Sequence, residues 1–425
     1  MKAPSVIVVG AGIVGSCCAL ELARAGVDTL VIEKGLSVGW EASSRSMGSL
    51  RIQGREPAEI PLAVEALRRW RELASKAEFE FVEGGNLYLA EHDRELDVLR
   101  SLHEQAVSGG LEDVRLLDSR GVERLVPLRD GASKGGLYSP YDAQCDPQRA
   151  VAEVARLAEQ VGARFLLGER VTEVLVRGEK VRGVATAAHG SIMCSHVVVA
   201  CGVGTPRLIR TLGLELPIKA VGVTQAESRA VSVTFRPTLR AMRFSARQRP
   251  DGRLVLGAGL ETRADQFVSL SDFTRLVEWL PRYWVHRRNI RLSFDLWPRG
   301  WQYVRGGVEG RSGELAYPGP NQALIDRAAR GLSSVLAGSP EIVIDRYWIG
   351  LVDHTLDGLP VIESLDRPAG LQLAAGFSGH GLGIAPAVGG VVAAAVLGAT
   401  PPLDIGAFSI RRFAAGRVPI PERFI

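Results

Sequence analysis

Apolar residues near the N-terminus form a continuous run, then a helical period, then a second run. The first run predicts a buried strand over residues 5–9. Apolar side chains then recur at Val14 and Leu22, with a cysteine pair between them, at the spacing of one helix face. Residues 13–25 are therefore predicted to be helical, and residues 27–33 to form a second strand. This order indicates two parallel strands joined by a crossover helix.

The same two patterns continue along the chain and predict its remaining elements. Helical periodicity predicts helices over 58–77, 93–107, 147–162 and 271–280, and a C-terminal helix within 376–400. Strands are predicted over 86–90, 164–167, 170–176, 181–187, 195–200, 221–226, 254–257, 342–350 and 371–376. Segments 34–53 and 136–147 are rich in turn-forming residues and are predicted to be loops.

A glycine-rich turn, Gly-Ala-Gly-Ile-Val-Gly over residues 10–15, separates the first strand from the first helix. Gly10 allows the tight turn, Gly12 lets a pyrophosphate approach the backbone, and Gly15 lets the helix pack closely on the strand. The helix start presents free N–H groups and a positive dipole end to such an anion. Glu33, at the end of the second strand, suits the hydroxyls of an adenosine ribose. The sequence therefore predicts a dinucleotide site.

Strand type divides the chain into two predicted domains, since 425 residues exceed what one hydrophobic core usually serves. The early strands, and those at 342–350 and 371–376, are typical of a parallel sheet, whereas the region 219–311 alternates as in an antiparallel one. The predicted fold is α/β combined with α+β, a Rossmann-type cofactor-binding domain interleaved with a substrate domain on an antiparallel sheet. The cofactor domain is assigned residues 1–84, 141–218 and 331–425, and the substrate domain 85–140 and 219–330.

Composition and charge are those of an ordinary globular protein. Hydrophobic residues make up 46% of the chain and charged residues 23%, with a net charge of +4. Basic residues concentrate at Arg282, His286, Arg287, Arg288 and Arg291. A solvated face is the favoured interpretation of this basic cluster, with docking of an acidic partner as the alternative. No nucleic-acid partner is predicted.

Cysteine usage and the apolar C-terminal stretch bear on location. The five cysteines lack the spacing of a metal site, so neither a metal nor a disulfide framework is predicted, which fits a reducing compartment. The first strand begins close to Met1, and no signal peptide is expected. Residues 376–400 are apolar, but they contain His380, Pro386 and many glycines, so a buried helix is predicted instead of a transmembrane segment. The expected location is the cytoplasm, with the inner face of a membrane as a peripheral alternative.

Further motifs follow the glycine turn in order along the chain. They lie at 85–90, 146–147, 197–202, 348–351, 355–360 and 376–381. With the turn, these motifs resemble the D-amino-acid-oxidase-type flavoprotein family, which holds glycine oxidase, sarcosine oxidase and dimethylglycine dehydrogenase. The resemblance spans the chain and implies FAD, its ADP half on the first turn and its isoalloxazine along 376–386. A helix start there would stabilise negative charge at the N1/C2=O edge of a reduced flavin.

The resemblance implies these cofactor-binding residues: Gly10, Ala11, Gly12, Ile13, Val14, Gly15, Glu33, Lys34, Ser43, Ser44, Gly48, Ser49, Val171, Ala200, Cys201, Gly202, Gly350, Gly376, Gly379, His380, Gly381, Leu382 and Gly383. Cys201 is interpreted as a small filler near the pyrophosphate. Arg51 is assigned to the substrate carboxylate because a guanidinium binds a carboxylate through two nitrogens, and Arg45 is its competitor. His380 is placed near the flavin or substrate, with a core histidine as the alternative.

Departures from the family pattern narrow the prediction. The arginine of glycine oxidase-like sequences is replaced by Val352, followed by Asp353. The flavin-linking cysteine of monomeric sarcosine oxidases corresponds to Gly350, and their lysine after the glycine-histidine-glycine turn to Gly383. Residues 39–41 do not match a histidyl-flavin site. The chain therefore resembles opine or hydroxyproline dehydrogenase and sarcosine-oxidase-β subunits more closely, with noncovalent FAD.

The predicted function is FAD-dependent oxidation of the C–N bond of an amino acid or N-substituted amino acid. The neutral amine would deliver its Cα hydride to flavin N5 and leave an imine that hydrolyses. Positioning and electrostatics carry such a step, so no strong general base is required. The alternatives are a 2-hydroxy-acid oxidoreductase, an NAD-dependent dehydrogenase and an FAD-holding subunit. The partners expected are a small amino-acid-like substrate and either a partner subunit or a respiratory electron acceptor.

Overall fold

The structure is a computed structural model of the chain. It describes residues 3–260, 264–268, 279, 284, 290–294 and 319–414. Apart from Trp279, the helix predicted over 271–280 lies outside the described residues. The side chains of the basic cluster also lie outside them.

Strands and helices alternate along the chain. The strands begin with β1 (Val6–Val9), β2 (Thr29–Glu33), β3 (Ser49–Leu50), β4 (Phe81–Val82), β5 (Asn86–Ala90), β6 (Arg115–Leu117), β7 (Gly135–Ser139), β8 (Ala143–Cys145), β9 (Arg164–Leu167), β10 (Val171–Arg177), β11 (Lys180–Thr186), β12 (Gly190–Met193) and β13 (His196–Val199). They continue with β14 (Ile218–Ala230), β15 (Thr238–Arg240), β16 (Phe244–Gln248), β17 (Arg253–Ala258), β18 (Ala264–Val268), β19 (Ile290–Phe294), β20 (Ile344–Thr355), β21 (Val361–Leu365) and β22 (Leu371–Ala375). The described helices are α1 (Ile13–Arg24), α2 (Ile60–Ala74), α3 (Asp93–Ser108), α4 (Ser119–Glu123), α5 (Pro147–Gln160), α6 (Thr205–Arg210), α7 (Gln322–Val335) and α8 (Gly381–Val396).

A six-stranded sheet in the order β21-β22-β13-β1-β2-β9 holds the N-terminal strands. Its pairs are parallel from β22 to β9, and β21 is an antiparallel edge strand. Every residue of β1 and β2 is buried, because helices cover both faces of a parallel sheet. This explains the continuous apolar runs, and the predicted parallel sheet is confirmed.

Helix α1 packs between the sheet and helices α5 and α8. Its contact with α8 is very close at Gly389, where an added Cβ would lie 2.7 Å from the carbonyl oxygen of Cys17. Cys17 and Cys18 are fully buried and pack as small hydrophobic side chains. Most residues of α8 are buried in the same core, as predicted for this apolar segment. Among the described helices, none has the length and apolar character needed to cross a membrane.

A ten-stranded sheet forms the second layer. Its order is β19-β18-β14-β17-β16-β15-β5-β7-β6, and β20 also pairs with β14. The pairs are antiparallel except β5 with β15 and β18 with β19. The prediction that residues 342–350 join a parallel sheet is wrong, since β20 runs antiparallel to β14 from Thr355 to Ile344. A long strand buried under other elements has the same apolar run as a parallel strand, so its pairing could not be inferred.

Two small sheets complete the fold, and short strands correct two loop predictions. β10, β11 and β12 form one antiparallel sheet, and β3, β8 and β4 form the other. Segment 34–53 contains β3, and segment 136–147 contains most of β7 and all of β8. These strands have two to five residues, too few for a periodic pattern. The residue limits of the two domains stay a prediction; β20, which that division gave to the cofactor domain, hydrogen-bonds into the ten-stranded sheet.

The two faces of the ten-stranded sheet have different surroundings. Leu87, Leu239 and Ala246 pack in one hydrophobic cluster with residues of α7. Because side chains alternate along a strand, their neighbours point to the opposite face, toward the six-stranded sheet. Tyr88 accordingly packs in the core of α1 and α8. The inner face of the ten-stranded sheet therefore supplies polar side chains to the space between the layers.

Candidate active site

The turn between β1 and α1 has the geometry that its glycines predict. Gly10 has a φ of +105°, and a Cβ there would lie 2.6 Å from the carbonyl oxygen of Ala200. A Cβ on Gly15 would overlap the carbonyl oxygen of Gly10. Gly15 thus allows the close helix–strand packing, and Gly10 brings Ala200 beside the turn. Two segments that lie far apart in sequence meet at this helix start.

Glu33 lies at the carboxyl end of β2 and is 7% exposed. Its carboxylate accepts hydrogen bonds from the backbone N–H groups of Ala11, at 2.8 Å, and Gly35, at 2.7 Å. Its carbonyl oxygen accepts from Glu169 N, which places the start of β10, with Val171, next to this end of β2. Glu33, predicted to bind the ribose, and Val171, predicted to bind the cofactor, are therefore neighbours.

The loop after β2 closes over the start of α1. Ser43 Oγ accepts a hydrogen bond from Ile13 N at 3.0 Å and so caps the helix. A Cβ on Gly12 would lie 3.0 Å from the same hydroxyl oxygen. Lys34 forms an ion pair with Glu41 at 3.0 Å. The predicted pyrophosphate segments around Ser43 and Ser44 are thus adjacent to the glycine turn.

Cys201 occupies the loop between β13 and α6. Burial raises the pKa of its thiol to about 11, and its Sγ lies 3.5 Å from Thr205 Oγ1. A thiol that stays protonated is a poor nucleophile. Gly202 has a φ of +52°, and a Cβ there would meet no atom within 4 Å. This geometry agrees with the interpretation of Cys201 as a small space-filling side chain, and it leaves open space beside Gly202.

The loop at Met47 and Gly48 is held by Cys145 of β8 and by Arg247 of β16. Gly48 has a φ of +87°, and a Cβ there would overlap the carbonyl oxygen of Cys145. Arg247 of β16 donates to the carbonyl oxygen of Met47 and forms a 2.5 Å ion pair with Glu80. No sequence pattern indicated this Arg247 contact, because it joins residues 200 positions apart.

The turn at 376–380 is fixed by β20. Asp353 Oδ2 accepts a 2.7 Å hydrogen bond from Gly376 N, and its carbonyl oxygen accepts one from Ser378 N at 2.9 Å. Ser378 Oγ in turn accepts from Thr355 N at 3.2 Å. Burial raises the pKa of Asp353 to about 6. The residue noted only as following Val352 thus anchors the glycine-rich turn.

Glycines on β20 and in the turn bring the predicted flavin segments together. A Cβ on Gly350 would lie 3.1 Å from Arg45 Cβ, and one on Gly379 would lie 3.8 Å from Val352 Cγ1. A Cβ on Gly381 would lie 3.7 Å from Val14 Cγ2. The starts of α1 and α8, one near each end of the chain, therefore lie side by side.

His380 precedes α8 and is paired with Glu59, which the sequence analysis did not single out. His380 Nδ1 lies 3.0 Å from a carboxylate oxygen of Glu59, and Nε2 is buried without a partner among the described groups. Burial lowers the pKa of His380 to about 4. Although burial opposes it, the hydrogen bond from His380 and the charges of Arg55 and Arg51 hold the pKa of Glu59 below its usual range. We infer a neutral imidazole that donates from Nδ1 and keeps a lone pair on Nε2.

Arg51 is 6% exposed, and its Nη1 donates to Tyr88 Oη at 2.7 Å. Arg55 lies between Arg51 and α8; its Nε donates to the carbonyl oxygen of Arg51, and a Cβ on Gly383 would lie 2.6 Å from its Nη2. Arg55 therefore fills the space that a side chain at Gly383 would need. The alternation of side chains along β5 could have indicated that Tyr88 faces the site. No sequence pattern indicated the position of Arg55.

Residues present in the structure fit FAD. The glycine turn offers a helix start flanked by an anchored carboxylate, and Gly202 leaves open space beside it. Ser49 Oγ is buried without a partner among the described groups, on the loop expected to follow the flavin ring. A buried hydroxyl normally has a hydrogen-bond partner, and a polar atom at the edge of a flavin ring would supply one for Ser49. Within the described ranges, no group of His, Cys, Asp or Glu side chains suits a metal ion.

Comparison with known proteins agrees with this geometry. A family model described as FAD dependent oxidoreductase matches residues 5–395. The chain is 26% identical over 420 residues to 4-methylaminobutanoate oxidase (formaldehyde-forming) of Paenarthrobacter nicotinovorans, covering 96% of this chain and 45% of that protein. It is 26% identical over 404 residues to glycine oxidase of Bacillus licheniformis, covering 92% of each. The chain thus spans about half the length of the first relative and most of the second.

Solved structures share the fold. L-proline dehydrogenase from P. horikoshii superposes with a TM-score of 0.80 at 22% identity, covering 98% of this chain and all of that one. At this identity the likeness concerns the fold, and it includes both sheets because the coverage is nearly complete.

Proposed function

This chain belongs to the FAD dependent oxidoreductase family, and we propose that it oxidises the C–N bond of an amino acid or N-substituted amino acid. Relatives named as oxidases of glycine and of 4-methylaminobutanoate support the proposal, since both names denote amines that carry a carboxylate. FAD, when bound, supplies the acceptor for the hydride of the substrate Cα. The residues proposed to hold it are those of the cofactor-binding set derived from the sequence.

The observation that carries the proposal is the arginine and histidine cluster at the start of α8. A Cβ on Gly383 would lie 3.7 Å from Arg51 N, so the proposed carboxylate residue borders the proposed flavin turn. A buried guanidinium next to an electron-accepting ring orients a small carboxylate-bearing substrate. Arg51 is proposed for this role.

His380 is proposed to contact the substrate amine. Its Nε2 lone pair accepts a hydrogen bond from an amine N–H, and Glu59 fixes the ring through Nδ1. This arrangement orients the nitrogen lone pair for loss of the Cα hydride. Because the imidazole is neutral, it adds no charge that would disfavour a developing iminium group.

The electron acceptor and location are also part of the proposal. We propose a partner subunit or a respiratory acceptor, since the related proteins are named both oxidases and dehydrogenases. The cytoplasm, including the inner face of a membrane, is the proposed location. All five cysteines are free thiols, which supports a reducing compartment.

Absorbance of the purified full-length chain tests the proposal. The protein should be yellow, and acid precipitation should release the flavin into the supernatant if FAD is noncovalent. Under anaerobic conditions, D-amino acids, sarcosine, proline derivatives or opines should bleach the flavin absorbance. Comparing oxygen with a dye acceptor then identifies the acceptor class. A colourless protein that takes up no FAD overturns the proposal.

Two variants separate the competing arginines. Arg51→Lys keeps the charge but loses the paired donors, so kcat/KM should fall by about 100-fold or more. Arg45→Lys should have a small effect, because Arg45 Nη1 donates to the backbone carbonyl of Ile349. The reverse result would move the carboxylate role to Arg45. Bleaching by 2-hydroxy acids but not by amines would replace the proposed substrate class.

A further inference from the structure

Arg240 is a partly buried arginine that has no ion pair among the described residues. It ends β15 and pairs in register with Tyr88 of the parallel strand β5. Its Nε is buried with no acceptor, and within the described part of the chain the guanidinium donates no hydrogen bond. Burial, followed by the charge of Arg51, lowers the pKa of Arg240 to about 10. Two arginines therefore flank one tyrosine hydroxyl.

Two buried arginines elsewhere in this protein form ion pairs with carboxylates. Arg247 forms a 2.5 Å ion pair with Glu80, and Arg55 lies 3.7 Å from Glu59. A buried guanidinium is ordinarily stable only when its charge and its N–H groups are satisfied. Arg240 is the exception among these three, so a purely structural role does not account for it.

Charges around Tyr88 do not balance. Arg51, Arg55 and Arg240 lie near two carboxylates, those of Glu59 and Asp142. Asp142 Oδ1 already accepts from Ile52 N, Gln53 N and Ser139 Oγ. His380 is neutral. Burial raises the pKa of the Asp142 carboxyl, so at most two anions face three cations, and at least one positive charge is unmatched among the described side chains.

We propose that Arg240 binds the substrate carboxylate, opposite Arg51, and that this subsite selects an amine bearing one carboxylate. The inference rests on the proposed function. Arg51 already donates hydrogen bonds from Nη1 to Tyr88 and to the carbonyl oxygen of Gly54. The guanidinium N–H groups of Arg240 are therefore more available than those of Arg51 to bind a carboxylate through two nitrogens. A single carboxylate supplies one negative charge and satisfies the unmatched guanidinium. Around Tyr88, the described residues offer a second carboxylate on the substrate no further arginine beyond Arg51, Arg55 and Arg240.

Titration of the FAD-loaded protein with benzoate and benzamide tests the assignment. The two probes have the same shape, but only benzoate carries a charge, and binding is followed by the change in flavin absorbance. Wild-type protein should bind benzoate at least about 10-fold more tightly than benzamide. Arg240→Gln should weaken benzoate by about 10- to 100-fold and change benzamide by less than about 2-fold. Arg236→Gln removes an exposed arginine from the same segment and should change neither affinity.

The Arg240→Lys variant keeps the test valid if Arg240→Gln does not fold. Lysine keeps the charge without the fork, so benzoate should weaken by about 3- to 10-fold with full FAD content. With the best substrate of the anaerobic screen, both Arg240 variants should raise KM far more than they lower kcat. Equal binding of benzoate and benzamide by wild type, or unchanged benzoate binding in Arg240→Gln, overturns this inference. Neither result affects the proposed function, which fails separately if no amine bleaches the flavin.

Discussion

At the scale of single residues, burial decides the charge of the site. His380 is held beside Glu59 and near two arginines, and its imidazole is neutral because burial lowers its pKa from 6.5 to about 4. Asp353 shows the opposite sign, since burial raises the pKa of its carboxyl from 3.8 to about 6. Burial therefore shifts each group toward its uncharged form, and the cationic character of the site comes from its arginines.

The pH dependence of stability should reveal the His380 pKa. Between pH 6.5 and 4 the unfolded chain binds a proton at His380 that the folded chain does not, so the contribution of His380 to stability falls as pH falls. From pH 7.5 to 5 the loss should be about 2 kcal/mol. His380→Asn, which keeps a donor toward Glu59, should lack this part of the pH dependence.

Urea unfolding of both proteins at these two pH values, with FAD at a fixed concentration, measures the difference. Identical pH profiles for wild type and His380→Asn would mean that the imidazole titrates normally in the folded state.

At the scale of elements, the contact between α1 and α8 places two helix starts side by side. The contact depends on Gly389, whose missing side chain lets the helix approach the backbone of Cys17. Asp353 and Thr355 of β20 then fix the turn that leads into α8. Because both helix starts are proposed to face the cofactor, a small shift between the helices should affect cofactor binding.

Gly389→Ala should be strongly destabilising. The new methyl group would lie 2.7 Å from the Cys17 carbonyl oxygen, and backbone cannot move aside cheaply, so a loss of about 2–3 kcal/mol and weaker FAD retention are expected. Gly390→Ala is the matched control. Its methyl group would meet the end of the Arg69 side chain, which can move, and alanine favours the helix, so stability should stay within about 1 kcal/mol of wild type.

Denaturant unfolding and the flavin-to-protein absorbance ratio report both effects. Equal behaviour of the two variants would contradict the close helix contact.

At the scale of the whole molecule, ion pairs join the ten-stranded sheet to the segment that precedes β4 of the small sheet. Arg247 of the ten-stranded sheet is 1% exposed and pairs with Glu80, which also pairs with Arg249 at 3.1 Å. The same guanidinium holds the loop at Met47. Removing the charge of Glu80 would leave the buried guanidinium of Arg247 unpaired, which is more costly than losing a surface pair.

Glu80→Gln should therefore lower the free energy of unfolding by about 3 kcal/mol. Asp345→Asn, which removes the partner of the exposed Arg229, should change it by less than about 0.5 kcal/mol. Chemical denaturation of the two variants compares them directly. A Glu80→Gln effect as small as that of Asp345→Asn would show that the interface does not depend on this pair.

The sequence by itself determined the local parts of this protein. The run before Gly10, the helical period after it and the acid at Glu33 depend on neighbouring residues, so β1, α1 and β2 could be predicted. The same holds for Gly376, Gly379 and the apolar helix that follows. Motif order then indicated FAD, the family and the class of reaction.

Only the tertiary structure decided which side chains meet. The pairing of β20 with β14, the approach of Glu59 to His380 and the position of Arg240 beside Tyr88 all join residues distant in sequence. Periodicity reports whether a residue is buried, but not what lies across from it. For this reason the glycines proposed to hold the cofactor were predicted from the sequence, whereas the charges around the proposed substrate site were found only in the fold.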